Sequence, residues 1–345
     1  MKTPHRYNTG VNEAIPTWRV LPADPHPAAW QTALGASLLE ARAGGLSPDT
    51  FREAAYAHPC ILIGAHQLVP EGDGPFQRRI TGGPAVAVDP RRLAWEFVAS
   101  RGGSATGAIE ALVETLRHHG YPVDPGPDCV ILNRRAVAWF AETSWRRALL
   151  LQVFVAVVPC DGERGTTSLF EEGGGRAPSI EELRTSFGEA LRKKLALSTE
   201  PGTLTAEERA HLASRLPEFR SDSWLHSVAL PEGAVTEATT IGRGSAVRVA
   251  VVHGSRRNHV ERVVFSGEFC THPRGAVAEL ERELSGTSID EAPARIENYF
   301  VRTGAEWVGL APGDLFTALS LAFMKRRVSQ SSAPDPEAWK KDAPR

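Results

Sequence analysis

Residues 78 to 89 read Arg78-Arg79-Ile80-Thr81-Gly82-Gly83-Pro84-Ala85-Val86-Ala87-Val88-Asp89. A pair of arginines leads into a diglycine turn, and an alternating apolar strand follows. Two guanidiniums offer fixed forks of donors to carboxylate or phosphate oxygens. Adjacent glycines let backbone N–H groups approach a ligand where a Cβ would collide. The stretch therefore has the makings of a cradle for an anionic acyl compound. It equally suits an ordinary hairpin connection with a solvated basic face, so the surrounding sequence has to decide between the two.

Working outward, residues 60–64 form a short apolar strand after Pro59, and 82–88 supply another beyond the arginines. Residues 26–45 carry Ala29, Ala33, Leu34, Leu38 and Leu39 at helical spacing and stop at Gly44-Gly45. Residues 105–120 repeat that pattern with Ile109, Leu112, Val113 and Leu116, closed by Gly120. Segments 129–132, 136–140 and 149–158 read as strands, with Asn133-Arg134 suited to a tight hairpin turn. Helices follow at 179–196 and 205–216, each opened by a capping box: Ser179 with Glu182, and Thr205 with Glu208.

Past Pro231, strands at 246–252 and 260–266 flank a turn at 254–258 and precede helices near 274–285, 289–303 and 312–327. The fold class is α+β, mainly antiparallel, with a smaller α+β unit at the C-terminal end. The expected organisation is a flexible arm at 1–16, a large domain at 17–231, an accessory domain at 240–327 and a disordered tail at 328–345.

With 345 residues, 42% of them hydrophobic, the chain has material for about two domains with real cores. The 39 basic and 41 acidic side chains leave a net charge of -2, so no overall field attracts nucleic acid or an anionic membrane. No secretory leader pattern and no apolar run long enough to span a bilayer is present, and a cytoplasmic location is expected. Cys60, Cys129, Cys160 and Cys270 lack the close pairing of a zinc site or redox motif, so no metal site is expected. There are 33 arginines but only six lysines, with none between residues 3 and 192. Arginine holds its proton too tightly for acid–base work at neutral pH.

Four stretches together resemble the lipoate–protein ligase A and octanoyltransferase family, whose catalytic fold biotin–protein ligases share. Thr50-Phe51-Arg52 is similar to the family's arginine-bearing strand. Pro59 to Gln67 is similar to its Pro-x-x-x-x-Gly-Arg-x-Gln segment, with Ala65 for the arginine. Residues 78–89 match Arg-Arg-x-Ser/Thr-Gly-Gly-Gly-x-Val-x-His-Asp at Arg78, Arg79, Thr81, Gly82, Gly83, Val86 and Asp89, while Pro84 and Val88 replace a glycine and the histidine. Asn133 to Glu142 falls on Asn-Gly-Arg/Lys-Lys-Ile-Ala/Gly-Gly-Ser-Ala-Gln, keeping Asn133, Arg135, Val137, Ala138 and Ala141. Ala136 takes the lysine's place. Residues 246–325, above all Val263 to Phe269, are similar to the accessory domain of such ligases.

The resemblance implies ATP and Mg²⁺ as cofactors, lipoate or octanoate as substrate, and a lipoyl-acceptor domain protein as partner. It assigns ligand contacts to Arg52, Gln67, Arg78, Arg79, Thr81, Gly82, Gly83 and Asp89. The family lysine screens charge as an acyl-adenylate forms, and losing one such preorganised donor typically costs about 2.7–4 kcal/mol. Arg135 substitutes for it only if the strand bulges, because neighbouring strand residues point to opposite faces. His66 lies where a loop leaves a strand, and His118-His119 ends a helix, where a dipole contact explains it. Trp139 and Phe140 stand where the family uses small residues beside the acyl tail. Cys129 and Cys160 invite comparison with the cysteine nucleophile of octanoyltransferases.

Three readings follow: an ATP-dependent ligase for lipoate or octanoate, an impaired homologue that binds an acyl ligand or acyl-carrier domain without turnover, and a ligase for a shorter acid.

Overall fold

The computed structural model describes residues 16–331 apart from 73, 102–104, 127, 160–165, 234, 243–244, 255 and 257. All of the expected arm except Pro16, the end of the tail beyond 331, and Cys160 lie outside the described residues.

In chain order the elements begin with β1 (Thr17–Leu21), α1 (Ala28–Ala43), β2 (Thr50–Glu53), β3 (Cys60–Ile63), β4 (Phe76–Arg78), β5 (Val86–Val88), β6 (Leu93–Ser100) and α2 (Ala105–His118). Next come β7 (Val123–Pro125), β8 (Cys129–Leu132), β9 (Arg135–Trp145), β10 (Ala148–Val155), α3 (Leu169–Glu172), α4 (Ile180–Leu195), β11 (Ser198–Pro201), α5 (Ala206–Phe219) and α6 (Asp222–Leu225). The C-terminal part holds β12 (Val235–Gly242), β13 (Ser245–His253), β14 (Val260–Gly267), β15 (Cys270–His272), α7 (Ala276–Leu284), α8 (Ala292–Thr303), β16 (Glu306–Val308) and α9 (Pro312–Ser331).

An eight-stranded sheet in the order β11-β1-β2-β6-β10-β9-β8-β7 forms the main layer, antiparallel except where β1 meets β11 and β2. The capping boxes at Ser179 and Thr205 are both formed and set the starts of α4 and α5. Asn133 and Arg134 both have positive φ, as the two-residue β8–β9 turn requires. Eight strands escape the sequence reading: β1, β4, β6, β7, β11, β12, β15 and β16.

Strand parity divides the main sheet's two faces. Leu93, Trp95, Phe97, Leu151, Val153 and Val155 point toward α2 and α4, where Trp95 stacks on Phe187 at 4.0 Å. Burial of each such large side chain stabilises by roughly 1.5–3 kcal/mol. On the opposite face Val98 and Leu150 pack under α1 and α5. Ala94, Trp139, Ala141 and Phe154 pack under the small sheet β4-β3-β5. Residues 238–323 enclose a separate apolar core. The last helix runs four residues beyond the boundary expected at 327. Among the described residues no helix is long and apolar enough to cross a membrane.

Between the two apolar clusters of the second face lies a polar row. Arg52, Glu96 and Gln152 are register partners on three adjacent strands. Arg52 Nε donates to Glu96 Oε2 at 2.8 Å, and Gln152 Nε2 donates to Glu96 Oε1 at 2.6 Å. Arg52 also donates to Gln31 on α1, through both Oε1 and the main-chain oxygen. All three row members are buried, so every lone pair and proton must be matched inside the protein. Removing one partner leaves an uncompensated charge. Glu96→Ala is therefore expected to lower unfolding free energy by about 3–5 kcal/mol in urea titration. A loss below about 1 kcal/mol contradicts this role for the row.

Candidate functional site: a sealed diglycine loop

Both arginines of the motif are fully buried, each with 0% of its surface exposed. Arg78 donates through Nη1 to the carbonyls of Gly64, Ala65 and Gln67 at 3.0, 3.2 and 2.6 Å. Its Nε and Nη2 both reach the carbonyl of Leu225 at the end of α6. Arg79 donates to the carbonyls of Leu62, Gly82 and Pro84 at 2.6–3.2 Å, and to Thr81 Oγ1 at 2.9 Å. Thr81 in turn donates to Gln152 Oε1, which joins the loop to the polar row.

The guanidiniums do not lie in solvent as a solvated hairpin face would have them: in the structure backbone carbonyls take their donors. Burial pulls the Arg78 pKa down to about 9 and that of Arg79 to about 10, so both stay charged at neutral pH.

The diglycine serves a seating role. Gly82 N–H donates to the carbonyl of Glu142 at 3.3 Å, and Gly83 N–H to that of Glu268 at 2.6 Å. Glu268 belongs to the link between β14 and β15, so the C-terminal unit rests directly on the loop. A Cβ on Gly82 would stand 2.6 Å from the Glu268 carbonyl oxygen, and Gly83 has φ +79. Close approach is what both glycines permit, but the approaching group is the protein's own backbone. Gly267 N–H to His66 O and Ser144 Oγ to Glu306 extend the same interface.

At the lysine position the strand does bulge. Val130 pairs with Ala138 and Ile131 with Ala136, leaving Val137 as the extra residue. The shift puts the Ala136 methyl on the face that holds Trp139 and Ala141, opposite the small sheet. Arg135 is thereby sent the other way, to an ion pair with Glu172 at 2.5 Å, with 47% of its side chain exposed. The bulge that would allow Arg135 to replace the lysine instead presents the neighbouring methyl.

The remaining expected contacts have internal partners. Asp89 takes the backbone N–H and guanidinium of Arg91, closing a turn. Arg52 is held in the polar row, and Gln67 Oε1 accepts the Gly64 N–H at 2.7 Å. Trp139 and Phe140 point to opposite faces, so they do not wall one pocket together. Burial and the neighbouring Asp128 push the Cys129 thiol up to about 11, which disfavours a nucleophilic thiolate. His119 meets Ser186 Oγ at 2.9 Å, consistent with a structural helix end.

The cleft nearest the diglycine, about 290 Å³, is bordered by Asp128, Glu142 and Glu268. Burial raises the pKa of both Glu142 and Glu268. Among the described residues no group of three His, Cys, Asp or Glu side chains is arranged to hold a metal ion. Two residues central to this site, Glu96 and Gln152, were missed by sequence reasoning. The available signal was one polar residue inside each of two apolar runs, LAWEFVAS and ALLLQVFV.

No family model matches the chain. It is 27% identical over 271 residues, 60% of its length and 98% of the relative's, to octanoyltransferase LipM of Kyrpidia tusciae. Among solved structures, P. falciparum LipL1 in complex with lipoate superposes with a TM-score of 0.67 at 11% identity, covering 88% of this chain and 99% of that one. Lipoate-protein ligase A bound with ATP gives 0.54 at 17% identity, covering 61% and 98%. A bi-partite lipoate protein ligase of Thermoplasma acidophilum, described with its E2 lipoyl domain, gives 0.52 at 18%, covering 64% and 100%.

Gly82→Ala is expected to push the Glu268 carbonyl away and speed proteolysis between residues 245 and 275, with a stability loss of about 1–3 kcal/mol. Unchanged cleavage contradicts the seating role. His66 sits in the same interface, 3.1 Å from Thr271 Oγ1 and stacked on Phe269. Burial, aided by the charges of Arg274 and Arg78, lowers its pKa to about 3. The unfolded chain, with a histidine pKa of about 6.5, binds that proton more readily, so this stabilisation is complete above about pH 6.5 and is lost toward pH 3. In urea titrations the wild type should lose stability relative to His66→Gln as pH falls from about 7 to 4. A constant gap contradicts the assignment.

Proposed function

We propose that this chain, a relative of the lipoate ligases and octanoyltransferases with the biotin/lipoate ligase catalytic fold, is an acyl-binding homologue. It takes a medium-chain acid such as lipoate or octanoate and meets a lipoyl-acceptor domain protein, without itself driving formation of the acyl-adenylate. The observation that carries this reading is the Ala136 methyl on the face where the resemblance places an ammonium. Among the described residues the lysines give no substitute: Lys193 and Lys194 pair with acids on α2, and Lys325 lies on α9.

The donor set around the diglycine does not suit a nucleoside triphosphate. The loop's amides are bonded within the protein, its guanidiniums are occupied by carbonyls, and three carboxyl groups border the adjoining cleft. Polyphosphate placed there would meet like charge with no open N–H forks, and the acids do not converge into a Mg²⁺ group. No step is therefore assigned to ATP. The chain's own contribution is recognition of an acid and its presentation to a partner.

The test incubates the protein with Mg-ATP, lipoate or octanoate, and an apo acceptor domain, and reads the acceptor's mass. A lysine-bearing lipoate ligase runs in parallel. The expected acylation rate is at least about 10²-fold below that ligase, from the missing donor alone. A comparable rate overturns the proposal in favour of the ligase reading. ATP–pyrophosphate exchange across a panel of shorter acids should also be silent, and a positive acid would reassign the chain as its ligase.

A further inference from the structure

A second space lies apart from the diglycine loop. A cavity of about 400 Å³ opens between the two units, walled by Leu39, Ile80 and Trp145 on one side and by Val264, Phe265 and Val277 on the other. That volume falls within the roughly 300–1,000 Å³ usual for small-molecule sites.

Its charges are unevenly matched. Glu40 binds His211 and Arg215, and Glu218 also binds Arg215, so those two acids are neutralised locally, while the third, Glu281, accepts the Phe265 N–H and has its pKa pushed up by burial to about 7. Arg274 is different. Its guanidinium lies flat on Trp224, 3.8 Å from the ring centroid, and its Nη2 reaches Ser227 Oγ and, at 3.5 Å, the carbonyl of Ala65. Among the described residues no carboxylate stands within ion-pair distance of it, and Glu218 acts on it only from farther away. The guanidinium is half-buried, and that burial pulls the Arg274 pKa down to about 10.

A second source of positive potential adjoins it. α7 begins at Ala276, and its N-cap Gly275 supplies no side-chain oxygen. The first-turn N–H groups of Val277 and Ala278 thus lack the capping acceptor that a serine or aspartate provides. Gly275, Val277 and Ala278 all border the cavity. Two independent features, an unmatched guanidinium and an uncapped helix start, therefore converge on one end of an apolar space.

We infer that this interdomain cavity is a binding site for a monocarboxylic acid with an apolar tail, its carboxylate held by Arg274 and the start of α7. The tail lies along Trp145, Val264 and Phe265. The inference rests on the acyl-binding reading for the class of acid, and it locates the ligand away from the sealed diglycine loop. The acid supplies the counter-ion that Arg274 lacks and displaces water from an apolar wall.

Calorimetric titration of the full chain tests this with octanoate, lipoate and the neutral octanamide as probes. Octanoate should bind the wild type at least about tenfold more tightly than octanamide. Arg274→Met should remove that preference, leaving octanamide unchanged. Because Arg274 also joins the two units, Ala278→Trp provides a second variant: Ala278 is exposed at the cavity edge, and a bulky ring there should weaken octanoate and octanamide alike with unaltered circular dichroism. Octanoate binding that survives both variants but changes in Ala136→Lys overturns the inference and leaves the acyl-binding reading standing. No binding of either acid to the wild type overturns both.

Discussion

A single row of polar side chains across an otherwise apolar sheet face governs the arrangement of everything around the motif. Glu96 is buried between Arg52 and Gln152, and through Thr81 the row reaches Arg79. A buried carboxylate tolerates no vacant position, so the row fixes the approach of the diglycine loop to the sheet. Gly35 on α1 belongs to the same constraint, since a Cβ there would stand 3.0 Å from Glu96 Oε2. Helix, sheet and loop are thus matched around one negative charge.

From that anchoring the remainder follows. Arg79, held by Thr81, closes the loop on itself through the carbonyls of Gly82 and Pro84, and Arg78 ties the loop to the end of α6. The rigid diglycine surface then accepts the β14–β15 link. Residues that the family resemblance assigns to a ligand have become the joint between two units. The same motif chemistry, forked donors and close backbone approach, is applied to carbonyls of the chain itself.

Much of the fold was legible in the sequence because its signals are local: the capping boxes, the Asn133-Arg134 turn and the apolar stripes of α1 and α2. Strand β6 was not, because its alternation is masked: both faces are buried, and LAWEFVAS reads as a continuous apolar run with one charge. β12 was missed for the opposite reason, an edge strand of threonines and small residues with little apolar content. The site was legible only as an inventory. Sequence identified the arginines, glycines and missing lysine, but which way each group points depends on the Val137 bulge and on Glu96, both tertiary features. Arg274 could not be found at all, since its significance comes from a place beside the cavity with no paired carboxylate and not from any motif.

The central claim is that the diglycine loop is an internal seat and that an acid binds elsewhere. Residue-resolved hydrogen exchange of the Gly82, Gly83, Val277 and Ala278 amides, with and without saturating octanoate, tests it most directly. The account expects Gly82 and Gly83 to exchange slowly and identically in both conditions, while the first turn of α7 becomes protected when the acid is present. Rapid exchange at Gly82 and Gly83 that slows only with octanoate would contradict it, because the loop would then be an open cradle filled by the ligand.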